Sequence, residues 1–226
     1  MNWKNDEELF ALMRKELFSA VVGDVMDQEG YLHQFLPPKI QPLDSKMVVV
    51  GRAMPVLEAD ILEEQEANPV VSKPFGLMLE ALDDLKKNEV YICSGASPTY
   101  ALWGELMSTR AMVCGASGAV VNGFSRDTKG ILELKFPTFS HGRYAQDQGP
   151  RGRVVDFRVP LKMDKVLIQP GDIVFGDLDG VCIIPQWIEV EVIHRALEKV
   201  RGEKMVQKVI EGGMSACEAF DRYGIM

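Results

Sequence analysis

A short run in the middle of the chain limits the fold most. Glu89–Ser94 (EVYICS) is compact and apolar, and Gly95-Ala96-Ser97-Pro98 breaks it. Gly104 to Gly115 then spaces Leu106, Met107, Ala111 and Met112 along one helical face, and Gly118–Asn122 (GAVVN) is apolar again. Strand, helix, strand at this spacing predicts a parallel βαβ unit. In such a unit the C-terminal ends of both strands share an edge with the helix N-terminus, and ligands of open α/β sheets bind at that edge. Here the helix opens with Gly104-Glu105-Leu106-Met107, and the second strand runs into Gly123-Phe124-Ser125-Arg126-Asp127. Glu105, Arg126 and Asp127 are therefore expected on one rim.

Each of these residues has a chemical use. The free amides and positive dipole end of a helix start can hold a carboxylate. Gly104 lets a ligand approach the backbone closely. Arg126 can grip a carboxylate at two points or polarise a keto oxygen. Asp127 and Glu105 are hard oxygen ligands, suited to Mg²⁺ or Mn²⁺. An anion site beside a Lewis acid serves enolate chemistry on a 2-oxo acid. Plainer readings stand beside this one. The helix dipole alone favours a Glu in the first turn, and an Arg-Asp pair in a loop is commonly a solvated ion pair.

The rest of the chain supplies a frame. Glu7 to Met26 has helical spacing, with Asp24 to Gly30 as its end or a second short helix. Lys46 to Ala53 reads as a strand, Glu58 to Lys73 as a polar stretch, and Gly76 to Lys87 as a helix. Lys165 to Gln169, Asp172 to Gly176 and Val181 to Ile184 read as short strands, separated by Pro170-Gly171 and by Asp177 to Gly180. Trp187 to Glu211 closes the pattern as a helix. One α/β domain over residues 1–226 is expected, with a mixed sheet and helices at both ends.

Composition excludes several classes. Lys and Arg total 25 against 33 Asp and Glu, a net charge of −8, so no nucleic-acid footprint is expected. No long apolar run predicts a membrane span, and the charged amphipathic N-terminus does not read as a signal peptide, so a cytoplasmic protein is expected. Cys93, Cys114, Cys182 and Cys217 form no CxxC pair, which argues against structural zinc and for reduced, mostly buried thiols. His141 could serve as a general base or as an ordinary loop hydrogen-bonder, while His33 and His194 read as structural. Arg143, Arg151 and Arg153 could take a second substrate carboxylate or lie solvated. Lys129 and Lys135 keep a Schiff-base aldolase open. Asp24, Asp27, Asp177 and Asp179 look like helix-end and turn residues.

Glu105, then twenty residues, then Arg126-Asp127 resembles the acid-X20-Arg-Asp signature of the class II pyruvate aldolases, the 4-hydroxy-4-methyl-2-oxoglutarate type. These share a superfamily with the regulator of ribonuclease activity A. Asp24-Val25-Met26-Asp27, Gly51-Arg52-Ala53, Gly118 to Gly123, Phe136-Pro137, Pro170 to Val174, Gly176 to Val181 and Ile184-Pro185 are similar to family landmarks, so the likeness covers roughly residues 18 to 200. The resemblance implies a three-layer β/β/α swivelling fold, an RraA-like homotrimer or homohexamer, and a site between subunits. It implies that Asp127 binds Mg²⁺ or Mn²⁺ directly and Glu105 through water. Arg126 would contact the substrate, and the amides of Gly104, Glu105, Leu106 and Met107 would cradle its carboxylate. The implied reaction is aldol cleavage, or oxaloacetate decarboxylation, through a pyruvate enolate. The implied alternative is a non-enzymatic regulator that binds an RNA-processing ribonuclease. Cys93-Ser94-Gly95, the polar stretch from Glu58 to Lys73 and the Gly- and Arg-rich segment from Gln146 to Arg153 depart from the family pattern.

Overall fold

The computed structural model describes residues 3–61 and 72–225. Residues 62–71, most of the polar stretch read between Glu58 and Lys73, lie outside them. The chain begins with α1, Asp6–Glu16, whose first-turn acids and last-turn Arg14 and Lys15 complement the helix dipole. Asn5 caps it by accepting the Glu8 amide at 3.0 Å. The expected single helix is broken at Leu17-Phe18, both extended, and α2 runs over Ser19–Gln28. A distant carboxylate makes the break: Asp177 accepts from the Ser19 amide and hydroxyl, both at 2.6 Å. Asp177 also accepts the Asp179 amide at 3.0 Å, so it serves its own turn as well.

A mixed sheet organises the rest. Its strands are β1 (Gln41–Pro42), β2 (Val49–Asp60), β3 (Glu89–Ser94), β5 (Gly118–Val121), β7 (Thr138–Ser140), β8 (Gly152–Phe157), β11 (Ile173–Asp177) and β12 (Gly180–Ile184). They lie in the order β1-β7-β5-β3-β2-β11-β12, with β8 also paired to β2, while β9 (Leu161–Met163) and β10 (Val166–Ile168) form a separate hairpin. The two ends of that order, β1 and β12, lie against each other, so the sheet nearly closes into a barrel. β2, β3, β5 and β7 are parallel neighbours, whereas β11 and β8 run antiparallel to β2. The parallel strands are buried along almost their whole length, as strands covered on both faces must be.

Three crossovers join the parallel strands. α3 (Met78–Asp83) links β2 to β3, α4 (Glu105–Val113) links β3 to β5, and α5 (Thr128–Leu134) links β5 to β7. The βαβ unit read in the sequence is therefore present, with Val90 opposite Gly118 and Cys93 opposite Val121. One core cluster packs these crossover helices on the sheet. A second lies beneath α1, α2 and α6 (Glu189–Glu211), on Val50, Ile173, Phe175, Cys182 and Ile184. N- and C-terminal helices thus flank the sheet, consistent with the three-layer swivelling arrangement.

The structure differs from the sequence reading in places. β2 runs seven residues past the expected end at Ala53, through Pro55 and Glu58, and α3 is shorter than Gly76 to Lys87. A last helix, α7 (Ala216–Tyr223), follows α6. Two thiols are buried, Cys93 and Cys182, while Cys217 is exposed. Among the described residues no helix is long and apolar enough to cross a membrane.

Candidate functional site

Two short strands bring the site together. β4 (Ala101–Trp103) and β6 (Phe124–Ser125) pair in parallel, with Trp103 opposite Ser125. The Arg126 amide donates to the Trp103 carbonyl at 2.9 Å, which sets Arg126-Asp127 beside Gly104. Trp103 is locked in turn. Its indole donates to Ser108 Oγ at 2.8 Å, that hydroxyl donates to the Gly104 carbonyl at 3.0 Å, and its ring packs 4.9 Å from Tyr91. The start of α4 is thereby fixed without a capping side chain. Its first amides lack the side-chain partner that a Ser or Asp cap would supply.

Asp127 has φ 54°, in the left-handed region, and its carboxylate does not cap α5. It turns back over Gly104, where Oδ2 lies 2.9 Å from the position of a β-carbon. Arg126 Nε lies 3.6 Å from Asp127 Oδ2, and its guanidinium also pairs with Asp147 Oδ1 at 2.9 Å. Asp147 arrives from a distant loop: the Ala101 amide donates to the Gln146 carbonyl at 2.8 Å, which hangs the loop on β4.

These groups line a cavity of about 400 Å³. Gly104, Leu106, Met107, Arg126 and Asp127 of the expected site all face it, together with Asp147 and Gln148. Its far wall is apolar, with Met78, Leu82, Leu102 and Trp103. An adjoining cavity of about 330 Å³ shares Arg126 and Asp127 and adds Arg143 and Tyr144. Glu105 departs from expectation. It does not line either cavity, and its carboxyl lies against Gly130 of α5, because its position on α4 faces the neighbouring helix.

Other candidates lie off both cavities. His141 Nε2 is 3.0 Å from Asn122 Oδ1, and burial, reinforced by the charge of Lys39, lowers its pKa to about 4. His194 stacks on Trp3. Arg151 and Arg153 bond loop carbonyls, those of Asp147 and of Gly149 and Gly152. Lys129 is 91% exposed beside Glu133, which leaves it without the desolvation that a Schiff-base lysine needs.

Residues 19–183 match the family model RraA-like, described as Aldolase/RraA. The chain belongs to the RraA-like family. Among relatives, a putative 4-hydroxy-4-methyl-2-oxoglutarate aldolase of Halalkalibacterium halodurans is 28% identical over 82% of each chain. Protein DlpA of Legionella pneumophila is 26% identical over 91% of this chain, which spans 32% of that protein's length. A crystal structure of Streptomyces coelicolor RraAS2, described as an unusual member of the RNase ES inhibitor RraA protein family, has a TM-score of 0.77. It covers 92% of this chain and 98% of that one at 20% identity, and it shows the shared RraA-like fold.

Several polar cavity residues escaped the sequence reading, among them the Asp83–Arg110 ion pair, 2.7 Å apart. Asp147 and Gln148 sit in the segment that looked merely Gly- and Arg-rich. Behind Gln148 lies Glu58, 1% exposed, whose Oε2 accepts the Gln148 amide at 2.6 Å. Burial pushes the Glu58 carboxyl up to about 8, so it is neutral at pH 7. No periodicity marks such a residue, although an acid in a continuing β pattern is a usable signal.

Proposed function

We propose that this chain is a divalent-metal-dependent lyase that cleaves or decarboxylates a small 2-oxo acid. The observation that carries the reading is the Asp127 carboxylate held over Gly104 at the mouth of α4, with Arg126 on the same cavity wall. Among the described residues no group of three or more His, Cys, Asp or Glu side chains gathers to cage a metal. Mg²⁺ does not require one, since it keeps several waters and takes one or two carboxylates. Asp127, a hard oxygen donor in a cradle that a β-carbon would fill, fits that requirement and would hold the ion. Bound there, Mg²⁺ or Mn²⁺ would supply Lewis acidity toward the 2-oxo group.

The chain's own residues do the rest. The amides opening α4 receive the substrate carboxylate. Arg126 stabilises negative charge as it develops on the 2-oxo oxygen. In decarboxylation the bond from C3 to the departing carboxylate breaks, CO₂ leaves, and the electron pair forms the pyruvate enolate, which then takes a proton at C3. The apolar wall around Trp103 limits water near that carbon. Arg143, across the shared boundary, is available to a second carboxylate. Glu105 has no assigned step.

A second reading is favoured by a specific observation. The donor set is sparse, Glu105 lies off the cavity, and Arg126 is already paired with Asp147. A non-enzymatic regulator that binds an RNA-processing ribonuclease needs no catalytic set, and the fold is that of the RraAS2 structure. Pyruvate release from oxaloacetate, measured with Mg²⁺ and with EDTA, separates the two. The lyase reading expects turnover that EDTA abolishes and Asp127→Asn removes. Absence of turnover with either Mg²⁺ or Mn²⁺, together with slowed RNA cleavage by an endoribonuclease, would establish the second.

A further inference from the structure

Glu58 is the least expected group in the core. It lies on β2 opposite Val154 of β8, where the register shifts between Leu57 and Glu58. Bulges of this kind re-aim side chains next to functional sites. Among the described residues its Oε1 has no hydrogen-bond partner, and neither does the buried hydroxyl of Tyr91 on β3. For stability alone an apolar side chain at this position would serve better, because an unpaired buried polar atom is costly.

Among the described residues the one side-chain partner of Glu58 is a cavity residue. Gln148 is 3% exposed and contributes to the cavity wall. Its backbone is pinned from behind, where the Arg151 and Gly152 amides donate to its carbonyl at 2.7 and 2.9 Å. Its side chain is held by Glu58 Oε2. The next residue, Asp147, is the one that holds Arg126.

We propose that Glu58 is a positioning residue of this cavity: its carboxyl fixes the Gln148 amide in the wall and so keeps Asp147 in register with Arg126. The inference rests on the reading of this cavity as the substrate site. A carboxyl kept neutral does this without placing a charge behind the anion-binding wall, since its carbonyl oxygen accepts from an amide as well as a carboxamide oxygen would.

The test uses the full chain with Glu58→Gln and Glu58→Leu. The first readout needs no ligand: the side-chain amide signals of Gln148, identified by their loss in Gln148→Ala. Wild type and Glu58→Gln should show a protected amide pair, and Glu58→Leu should show a freely exchanging one. The second readout is oxaloacetate decarboxylation with Mg²⁺. Glu58→Leu should raise KM on the order of tenfold, the scale of a displaced binding group, with kcat within about twofold, and Glu58→Gln should restore KM. If Glu58→Leu does not fold, Gln148→Leu takes its place, with the same KM rise expected. A protected Gln148 amide in Glu58→Leu, or a KM unchanged in either leucine variant, overturns the proposal. Wild-type protein without turnover would sink the lyase reading, and the amide readout would still decide the role of Glu58.

Discussion

The carboxylate of Asp127 stands over the backbone of Gly104, its Oδ2 2.9 Å from where a β-carbon on Gly104 would sit. Asp127 reaches this position through a left-handed backbone, φ 54°, which Asp adopts more readily than most residues. The central carboxylate of the candidate site therefore depends on a missing side chain on the facing helix start.

Gly104→Ala should consequently damage the site and spare the fold. Gly104 has φ −155° and ψ −177°, an extended conformation open to any residue, so alanine adds no backbone strain. Its methyl group would push Asp127 away and crowd the α4 amides. Oxaloacetate turnover should fall at least about tenfold, with the unfolding midpoint in urea close to wild type. Turnover at wild-type level would remove Asp127 from the site.

Asp147 holds Arg126 at the cavity wall. The pair is 2.9 Å apart, with the two side chains 39% and 42% exposed, so its worth is that of a partly solvated ion pair, about 1 kcal/mol at most. Asp147→Asn should weaken oxalate binding by up to about fivefold at low salt, with the loss shrinking as salt rises. Tighter oxalate binding by calorimetry would mean that Asp147 blocks Arg126 more than it orients it.

Much of the frame around this candidate site was legible because its parts are local. Glu89–Ser94, the helix after Gly104 and the strand from Gly118 each carry their own pattern, and one rule about parallel crossovers joins them. What escaped is non-local. β4 and β6 are two or three residues long, too short for a pattern, yet their pairing sets Arg126 beside Trp103. Asp147 enters through one loop-to-strand hydrogen bond. Glu58 follows Pro55, and a proline argues against a paired strand, so β2 seemed to end early. Glu105 shows the converse: its place in the first helical turn is legible, but not that its carboxyl lies against Gly130 of α5.

α3 and α4 expose Leu79 at 56%, Leu106 at 83%, Met112 at 44% and Val113 at 72%, and Leu79 and Leu106 share the cavity rim. Exposed apolar surface beside a cavity suits an interaction surface. Assembly as a homotrimer or homohexamer would bury it beside the cavity mouth. Sedimentation velocity is expected to show such a species, and Leu106→Asp to shift it toward monomer. A wild-type chain that sediments as a monomer at all concentrations contradicts the expectation.

His141 should contribute to acid lability. Burial lowers its pKa from 6.5 to about 4, so the folded state disfavours its protonated form. The stability it supports is present above about 6.5 and is lost as pH falls through about 4. His141→Gln can still donate to Asn122 without titrating, so its urea midpoint should depend less on pH over that window than the wild type's. An identical pH dependence would show that His141 is not the responsible group.

Glu58 predicts the opposite slope at higher pH. Its carboxyl is raised from 4.5 to about 8 by burial, so the folded state holds a proton that the unfolded chain releases. Below about 4.5 both states are protonated and the contribution is fully present. Between 4.5 and about 8 the unfolded state alone ionises, and stability falls as pH rises. Above about 8 the folded carboxyl ionises too and the slope disappears. The titratable groups that feel its charge, Tyr91 and Cys93 on β3 and Tyr100, are themselves held neutral by burial and add no opposing charge in this range. The shift corresponds to a ceiling of roughly 5 kcal/mol. Glu58→Gln, which cannot ionise, should be more stable than wild type at pH 8.5 and nearly equal to it at pH 4.5, read as urea midpoints. Parallel curves for the two proteins would mean that Glu58 is ionised and compensated in the core.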